Sequence, residues 1–450
     1  MLTALLISVA FARPTEGGQY AFDDADVVTS LDSPNSGVRV WYSTEGPSVV
    51  LLDDADDNGL PDFAELVAAQ AEDVVATYAE AGFRPPVADG VKGGSDAMDA
   101  YLVDFAGKSD GQFVSESCDG AICSGYFVME NDFQGYGYPD VPEAVRVLTS
   151  HELFHAVQAA YNATSPVWFS EGTAVWAERF YDPDNSDFLS FCDAYLTDTG
   201  RSLDEPPAGP VPTFAYATAL WWWYLSEQYG VGSIADLLDR SADGEEILAA
   251  MAEVEAQGGG TIEEDWSTFA RWNLATGSRA GAAASYTFAA DLREIRIRSE
   301  DASISDDNRF YPLAASYYSI QHPGGDLRFA IEESAPNLAF SVHAADAEGR
   351  ALDALQVFPG ENADLGDQPA GTYWLVGSNP TLDTQSTKRL ICFGGDVSAC
   401  GVPDSGGGSA DSGAAASPTG CGCAMAHRPP ASAALSILGL VGLAGRRRRR

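Results

Sequence analysis

Two histidines lie four residues apart in the stretch VLTSHELFHAVQAAYN, with a glutamate directly after the first. Residues at positions i and i+4 share one face of a helix, so His151 and His155 can direct their rings toward one point. Imidazole nitrogens are common metal ligands. Only five histidines occur in the chain, which makes an incidental pair at this spacing improbable. The motif predicts a metal site on a helix.

The residues around this pair indicate which kind of metal site it is. A structural zinc site fills all four positions with protein ligands, typically cysteines, and no cysteine is close to the motif in sequence. A catalytic site keeps one position open for water. Glu152, on the same turn of the helix, is suited to accept a proton from that water. The alternative is a helix with two unrelated histidines.

The third ligand is not part of the same motif. A metzincin would continue as HExxHxxGxxH, but Gln158 occupies the glycine position and Tyr161 the final histidine position. Glu171 is the first acid after a short turn and begins the pattern Glu-Gly-x-Ala, which resembles the glutamate-ligand helix of gluzincins. The other nearby acids are Glu178, Asp182 and Asp184.

Two further side chains are candidates for supporting roles. Tyr216 could donate a hydrogen bond to a developing oxyanion; the alternative is a core aromatic beside the following tryptophans. Glu178 lies two turns after Glu171 and could orient a ligand histidine; the alternative is a solvated surface acid.

An acidic stretch, DDADDNGLPDFAEL, matches the calcium-binding loop of an EF-hand over residues 54–65. Hard oxygen ligands recur on alternate residues, and Gly59 permits the sharp bend. The alternative is an acidic surface turn. The predicted calcium ligands are Asp54, Asp56, Asn58, the backbone of Leu60, Asp62 and Glu65.

The two ends of the chain read as targeting segments. Residues 1–12 have the apolar run and small residues of a secretory signal, although a buried first strand or helix is the alternative. Residues 403–420 form a Gly/Ser/Ala-rich linker. In residues 421–450, two cysteines, an apolar segment and five arginines resemble the C-terminal sorting tag of myxobacteria (MYXO-CTERM). That resemblance implies processing by a sorting protease and display on the cell surface or release; a plain membrane anchor is the alternative.

Charge and cysteine content fit an exported protein. The net charge of −41 repels nucleic acid and anionic membrane surfaces, so neither is expected as a partner. Cys118 with Cys123, and Cys392 with Cys400, could each close a small loop in an oxidising compartment. Cys192 is expected to be buried and unpaired.

Periodicity along the chain predicts an α+β fold. Strands are expected over 37–44, 97–107 and 124–133, and helices after the acidic loop, at the histidine motif and repeatedly over 214–277. These segments define a predicted catalytic domain over 13–285. Short alternating runs, typical of strands, follow over 292–378, and the first of them is 292–299. They predict a β-sandwich domain over 286–402.

Residues 37–230 resemble secreted metalloproteases of myxobacteria, through DADDNGLPD, GGSDAMDAYLVDF, HELFHAVQ, WFSEGTAVWAE and YLSEQYG. This resemblance implies a gluzincin-like peptidase with zinc on His151, His155 and Glu171. We therefore expect an exported zinc endopeptidase that acts on protein or peptide substrates outside the cell. The alternative is a catalytically silent surface adhesin stabilised by calcium and zinc. Glu152 argues against that alternative, because a binding module does not need a general base.

Overall fold

The computed structural model describes residues 12–205, 212–382 and 385–402. The predicted signal peptide apart from Ala12, the predicted linker and the predicted sorting tag therefore lie outside the described residues. The described chain is α+β, as the sequence predicts. Among the described helices, none combines the length and apolar character that crossing a bilayer requires.

The N-terminal sheet has the strand order β1-β2-β3-β5-β4. The central strands β2, β3 and β5 run parallel, whereas β1 and β4 pair antiparallel at the two edges. Residues 99–103 of β3 are all buried, as expected for a parallel strand covered on both faces. The strands are β1 (Val28–Asp32), β2 (Val38–Ser43), β3 (Met98–Val103), β4 (Gly111–Asp119) and β5 (Ile122–Glu130).

Helices cover one face of this sheet and continue along the chain to residue 274, whereas the N-terminal segment with Tyr20 and Phe22 packs on the other face. The histidine helix, α2, begins after Asp140, whose side chain accepts a hydrogen bond from the Glu143 backbone N–H. It is buried on nearly all sides because α1, α3 and the sheet pack around it. The helices are α1 (Asp62–Glu80), α2 (Val141–Asn162), α3 (Val167–Tyr181), α4 (Asp187–Thr197), α5 (Thr213–Ala217), α6 (Ala219–Tyr229), α7 (Gly232–Ala242), α8 (Ile247–Gly258) and α9 (Ile262–Leu274).

The C-terminal part contains two sheets, with strand orders β11-β10-β13-β8-β6 and β12-β9-β14-β7. Both sheets contribute to one apolar cluster, in which Phe329 of β9 contacts Phe340 of β10. The strands are β6 (Arg298–Glu300), β7 (Ser303–Phe310), β8 (Ala314–His322), β9 (Gly325–Ile331), β10 (Ala335–Ala345), β11 (Ala351–Gly360), β12 (Ala363–Gln368), β13 (Gly371–Asn379) and β14 (Thr387–Gly394).

The helical region and the C-terminal sheets share buried surface. Tyr317 of β8 and Trp374 of β13 belong to the same apolar cluster as the helices. The hydroxyl of Tyr317 donates to the backbone carbonyl of Ala270 in α9, at 2.9 Å. The first C-terminal sheet therefore packs on the helical region along the face that carries these residues.

The strand predicted over 292–299 is mostly wrong, because only residues 298–300 form a strand. Ile295 and Ile297 alternate with arginines as in a strand, but Ile295, like Leu292, is buried against the helical core. The backbone N–H of Arg293 donates to the Asp193 side chain rather than to a neighbouring strand. Alternation here reflects an irregular segment with one buried face.

Both predicted cysteine pairs are disulfide-bonded, Cys118 with Cys123 and Cys392 with Cys400. Cys192 is buried and free, as predicted. The first disulfide closes the hairpin between β4 and β5. At the turn of that hairpin, the Ala121 carbonyl accepts a hydrogen bond from the Ala163 N–H at the end of α2.

Candidate metal centre

Three side chains converge at the middle of α2. The Nε2 atoms of His151 and His155 lie 3.1 Å apart, and each is 3.4 Å from Oε2 of Glu171 in α3. These are the residues that the sequence predicts as zinc ligands. Atoms bound at about 2.0–2.1 Å to one tetrahedral zinc ion lie about 3.3 Å from each other. The triangle of side-chain atoms therefore has the dimensions that a zinc site requires.

The positions of these residues follow from the local sequence. His151 and His155 are one turn apart on α2, and the turn before Pro166 returns the chain so that α3 packs against α2. Gly172 follows Glu171, and a Cβ atom there would lie only 2.0 Å from Oγ1 of Thr218. The missing side chain therefore admits the segment between α5 and α6 against α3.

The outer nitrogens of both histidines have defined acceptors. Nδ1 of His151 lies 2.7 Å from Oε1 of Glu178, and Nδ1 of His155 lies 2.8 Å from Oε1 of Gln158. An acceptor at Nδ1 favours the tautomer with its proton there, which leaves the Nε2 lone pair facing the centre. Two such lone pairs and a carboxylate then converge, an arrangement that suits a cation.

Glu178 therefore has the orienting position that the sequence suggests, since its buried carboxylate contacts His151. It also accepts a hydrogen bond of 3.3 Å from Nδ2 of Asn185. Burial raises the pKa of Glu178 to about 7, although the hydrogen bond from His151 opposes that shift. A polar partner on each side keeps this side chain in place.

Electrostatics at the centre favour positive charge. Burial lowers the pKa of His151, but Glu171 and Glu178 outweigh it, so the net shift is upward. The pKa of His155 is also raised, because Glu171 outweighs the effect of burial. Burial raises the pKa of Glu171, but the two histidines outweigh this effect and hold it well below its usual range. The carboxylates therefore favour positive charge on the two histidine rings, and the rings favour the ionised form of Glu171.

Glu152 lies beside the three converging side chains but contacts none of them as a ligand would. Its Oε2 atom is buried and has no hydrogen-bond partner among the described residues. Burial raises the pKa of its carboxyl group. Glu152 thus lines the cleft with one carboxylate oxygen that no described protein group satisfies.

The centre opens into a cleft of about 390 Å³. Strand β4 forms one wall, and α2 with the start of α3 forms the other. Tyr216 lines this cleft, so it is not simply a core aromatic; its ring centroid is 5.9 Å from that of His151. Burial raises the pKa of its hydroxyl, and the nearby Glu171 adds to that shift. The hydroxyl is therefore a proton-bearing donor at neutral pH.

Sequence reasoning missed two residues of this site. Gly111, at the start of β4, packs against Glu152, and a Cβ atom there would lie 2.9 Å from Oε1. Its strand was not predicted, because β4 is an edge strand with mixed burial and an irregularity between Ser115 and Ser117. From the sequence, Gln158 serves only to exclude the metzincin pattern, because it occupies the glycine position. Its position one turn after His155 was the available signal.

The acidic loop before α1 has its predicted ligands close together. One carboxylate oxygen each of Asp54, Asp56 and Asp62 lies within 4.8 Å of the others. Nδ2 of Asn58 donates to Oε1 of Glu65 at 3.0 Å, which draws these two side chains together as well. The backbone N–H of Leu60 donates to Oδ1 of Asn58 at 2.8 Å. Gly59 has a φ of +86°, the left-handed bend that favours glycine here.

Comparisons with known proteins give little information for this chain. No family model matches it, and no curated protein matches it. Among solved structures, one match is PliG from Aeromonas hydrophila, a periplasmic inhibitor of g-type lysozyme. The two chains are 13% identical with a TM-score of 0.17, and the match covers 22% of this chain and 96% of that chain. A TM-score this low carries no information about fold or function.

Proposed function

We propose that this chain is an exported zinc-dependent endopeptidase that hydrolyses peptide bonds of extracellular proteins. The observation that carries the proposal is the triangle of His151, His155 and Glu171 atoms, with sides of 3.1, 3.4 and 3.4 Å, at the base of a cleft. The free oxygen of Glu152 beside it supports catalysis rather than a purely structural ion. In this proposal zinc is the resident metal and the fold belongs to the gluzincin class.

The three ligand side chains would hold the ion and leave one side open to the cleft. A bound zinc ion supplies Lewis acidity, which lowers the pKa of water and polarises a carbonyl oxygen. Glu152 would accept the proton of the attacking water at its free carboxylate oxygen and later deliver it to the departing amine. The raised pKa of Glu152 suits a group that must hold that proton between the two steps.

Tyr216 would contact the substrate at the peptide carbonyl group that is attacked. Its hydroxyl stays protonated at neutral pH, so it can donate a hydrogen bond to the carbonyl oxygen as negative charge develops there. Glu178 and Gln158 would keep the two histidine rings aimed at the centre. Strand β4 forms the cleft wall against which a bound substrate would lie.

The remaining parts fit an extracellular enzyme. We propose that residues 54–65 bind one calcium ion, because five side chains and a left-handed glycine adopt a loop of the required kind. The two C-terminal sheets, which share one core, are proposed to form a β-sandwich for substrate or surface attachment. Export and attachment through the C-terminal tag remain predictions from the sequence.

The experiment that tests this function is digestion of casein or gelatin by the purified chain, with and without a chelator. We expect zinc-dependent cleavage, and Glu152→Gln should reduce the rate by about two to four orders of magnitude, the usual range for a positioned general base. The variant should keep its zinc, since Glu152 is not a ligand. A wild-type chain that binds stoichiometric zinc but cleaves no protein substrate would instead favour the surface adhesin.

A further inference from the structure

Gln158 makes three hydrogen bonds at the back of the metal centre. Its Oε1 atom lies 2.8 Å from Nδ1 of His155. Its Nε2 atom donates to the backbone carbonyl of Ser170 and to Oγ1 of Thr173, both at 2.8 Å. The side chain is 4% exposed, so these contacts are made away from water. Both donor positions and one of the two acceptor positions of the amide are therefore filled.

These contacts determine which way the amide faces. The Ser170 carbonyl can only accept a hydrogen bond, so the NH₂ group of Gln158 must point toward it. The amide oxygen then faces His155 and can only accept, so Nδ1 of His155 must carry the proton. In the neutral ring, the form that binds a metal, the proton-free nitrogen is then Nε2, which faces Glu171 and His151.

We infer that Gln158 is a positioning residue that locks His155 in the tautomer able to bind a metal through Nε2. The inference rests on the proposed function, since it assigns Nε2 of His155 as a ligand atom. The carbonyl of Ser170 belongs to α3, the helix that carries Glu171. One amide thus connects the second histidine with the helix of the third ligand.

The choice of an amide has an electrostatic reason. His151 already contacts the carboxylate of Glu178, and the buried carboxylate of Glu152 and the half-buried carboxylate of Glu171 are close by. A second outer carboxylate, at Gln158, would add negative charge to a buried site and would face the Ser170 carbonyl with no hydrogen to donate. The neutral amide satisfies the histidine and both acceptors on α3.

The test compares Gln158→Met with Gln158→Glu and with a control, Thr173→Val. Methionine keeps the length of the side chain but removes the strong acceptor for the His155 Nδ1 proton. Glutamate keeps that acceptor. Thr173→Val is nearly isosteric and removes one acceptor of the Gln158 amide, while the Ser170 carbonyl continues to fix the amide.

Two measurements are made on each full-length protein. Zinc affinity is measured by competition with a chelator. The second readout is the slowly exchanging Nδ1 proton of His155, observed by NMR of histidine-labelled, zinc-loaded protein. If Gln158 only stabilised the fold, its replacement would lower the melting temperature but would change neither the zinc affinity of the folded protein nor the protected Nδ1 proton of His155.

We expect Gln158→Met to weaken zinc binding by about 10- to 100-fold, the usual effect of losing such a partner, and to lose the protected Nδ1 proton. Gln158→Glu should keep that proton signal and bind zinc more tightly than Gln158→Met, and Thr173→Val should stay within about threefold of wild type. If Gln158→Met is too unstable to purify, the inference is decided by whether Gln158→Glu keeps the protected Nδ1 proton of wild-type His155.

The inference is overturned if Gln158→Met binds zinc within about twofold of wild type, if Gln158→Glu loses the protected proton, or if wild-type His155 carries its proton on Nε2. Failure of the proposed function is recognisable separately. A wild-type protein with tight zinc and a protected Nδ1 proton but no peptidase activity contradicts only the peptidase.

Discussion

Gly111 offers a test of the catalytic geometry that leaves the metal ligands untouched. An alanine Cβ at this position would lie 2.9 Å from Oε1, 3.2 Å from Cγ and 3.4 Å from Cδ of Glu152. Ordinary contacts between such atoms are about 3.5–4.0 Å, so the carboxylate must withdraw by roughly 0.5 Å or more. A misplacement of reacting groups by about 1 Å can lower the reaction rate about 100-fold. We therefore expect Gly111→Ala to lower kcat by about 10- to 100-fold.

The assay is kcat on a quenched fluorescent casein, together with zinc content and melting temperature. Zinc should remain stoichiometric, because Glu152 is not among the three converging side chains. Gly137→Ala is the matched control, since a Cβ atom there meets nothing within 4 Å; it also reproduces the loss of unfolded-state freedom that any Gly→Ala change brings. Wild-type kcat in Gly111→Ala, with the same zinc content, would refute the role assigned to the Glu152 position.

Three further predictions concern the metal ligands, the acidic loop and a buried acid. Glu171→Ala should weaken zinc binding at least about tenfold, whereas Glu178→Ala should still bind stoichiometric zinc at saturating metal; full zinc in the former with loss in the latter, by metal analysis, would show the assignment to be reversed. Millimolar calcium should raise the melting temperature, and Asp54→Ala should abolish that increase, because a ligand that binds only the folded state stabilises it; an unresponsive wild type without bound calcium would leave only an acidic turn. Glu255 in α8 is fully buried, neither carboxylate oxygen has a hydrogen-bond partner among the described residues, and burial raises its pKa to about 9. The folded protein thus retains a proton that the unfolded chain releases above about pH 4.3, so stability is lost as pH rises toward 9. Glu255→Gln should therefore match wild type near pH 4.5 and exceed it by on the order of 3 kcal/mol at pH 7 in denaturant unfolding; a difference independent of pH would contradict this.

The sequence by itself determined the features that depend on short spacings. The interval between His151 and His155 fixes them on one face of a helix, whatever packs around it. The acidic loop places its oxygen atoms through a run of twelve residues, 54–65, and its glycine adopts the expected left-handed bend. The two cysteine pairs are also close in the chain, and both are bridged. Local geometry leaves few alternatives over such distances.

The strand pattern was readable where side chains are apolar or alternate, as in β3 and β5. The sequence does not predict edge strand β4, because most of its residues are polar or small and are half-exposed. It is a strand because it pairs with β5, and not because of its residue types. The opposite error occurred over 292–299, where alternation reflects burial on one side without a partner strand.

Only the tertiary structure decided what surrounds the two histidines. The sequence predicts Glu171 as the third ligand and suggests Glu178 as an orienting acid. The packing of α3 on α2 is what brings the first to the Nε2 atoms and the second to Nδ1 of His151. It likewise brings Gly111 against the general-base candidate, from a strand about forty residues earlier in the chain. Periodicity fixes which side of its own helix a residue occupies. The approach of two elements depends on side chains far apart in sequence, such as Gly172 and Thr218, whose contact no local pattern encodes.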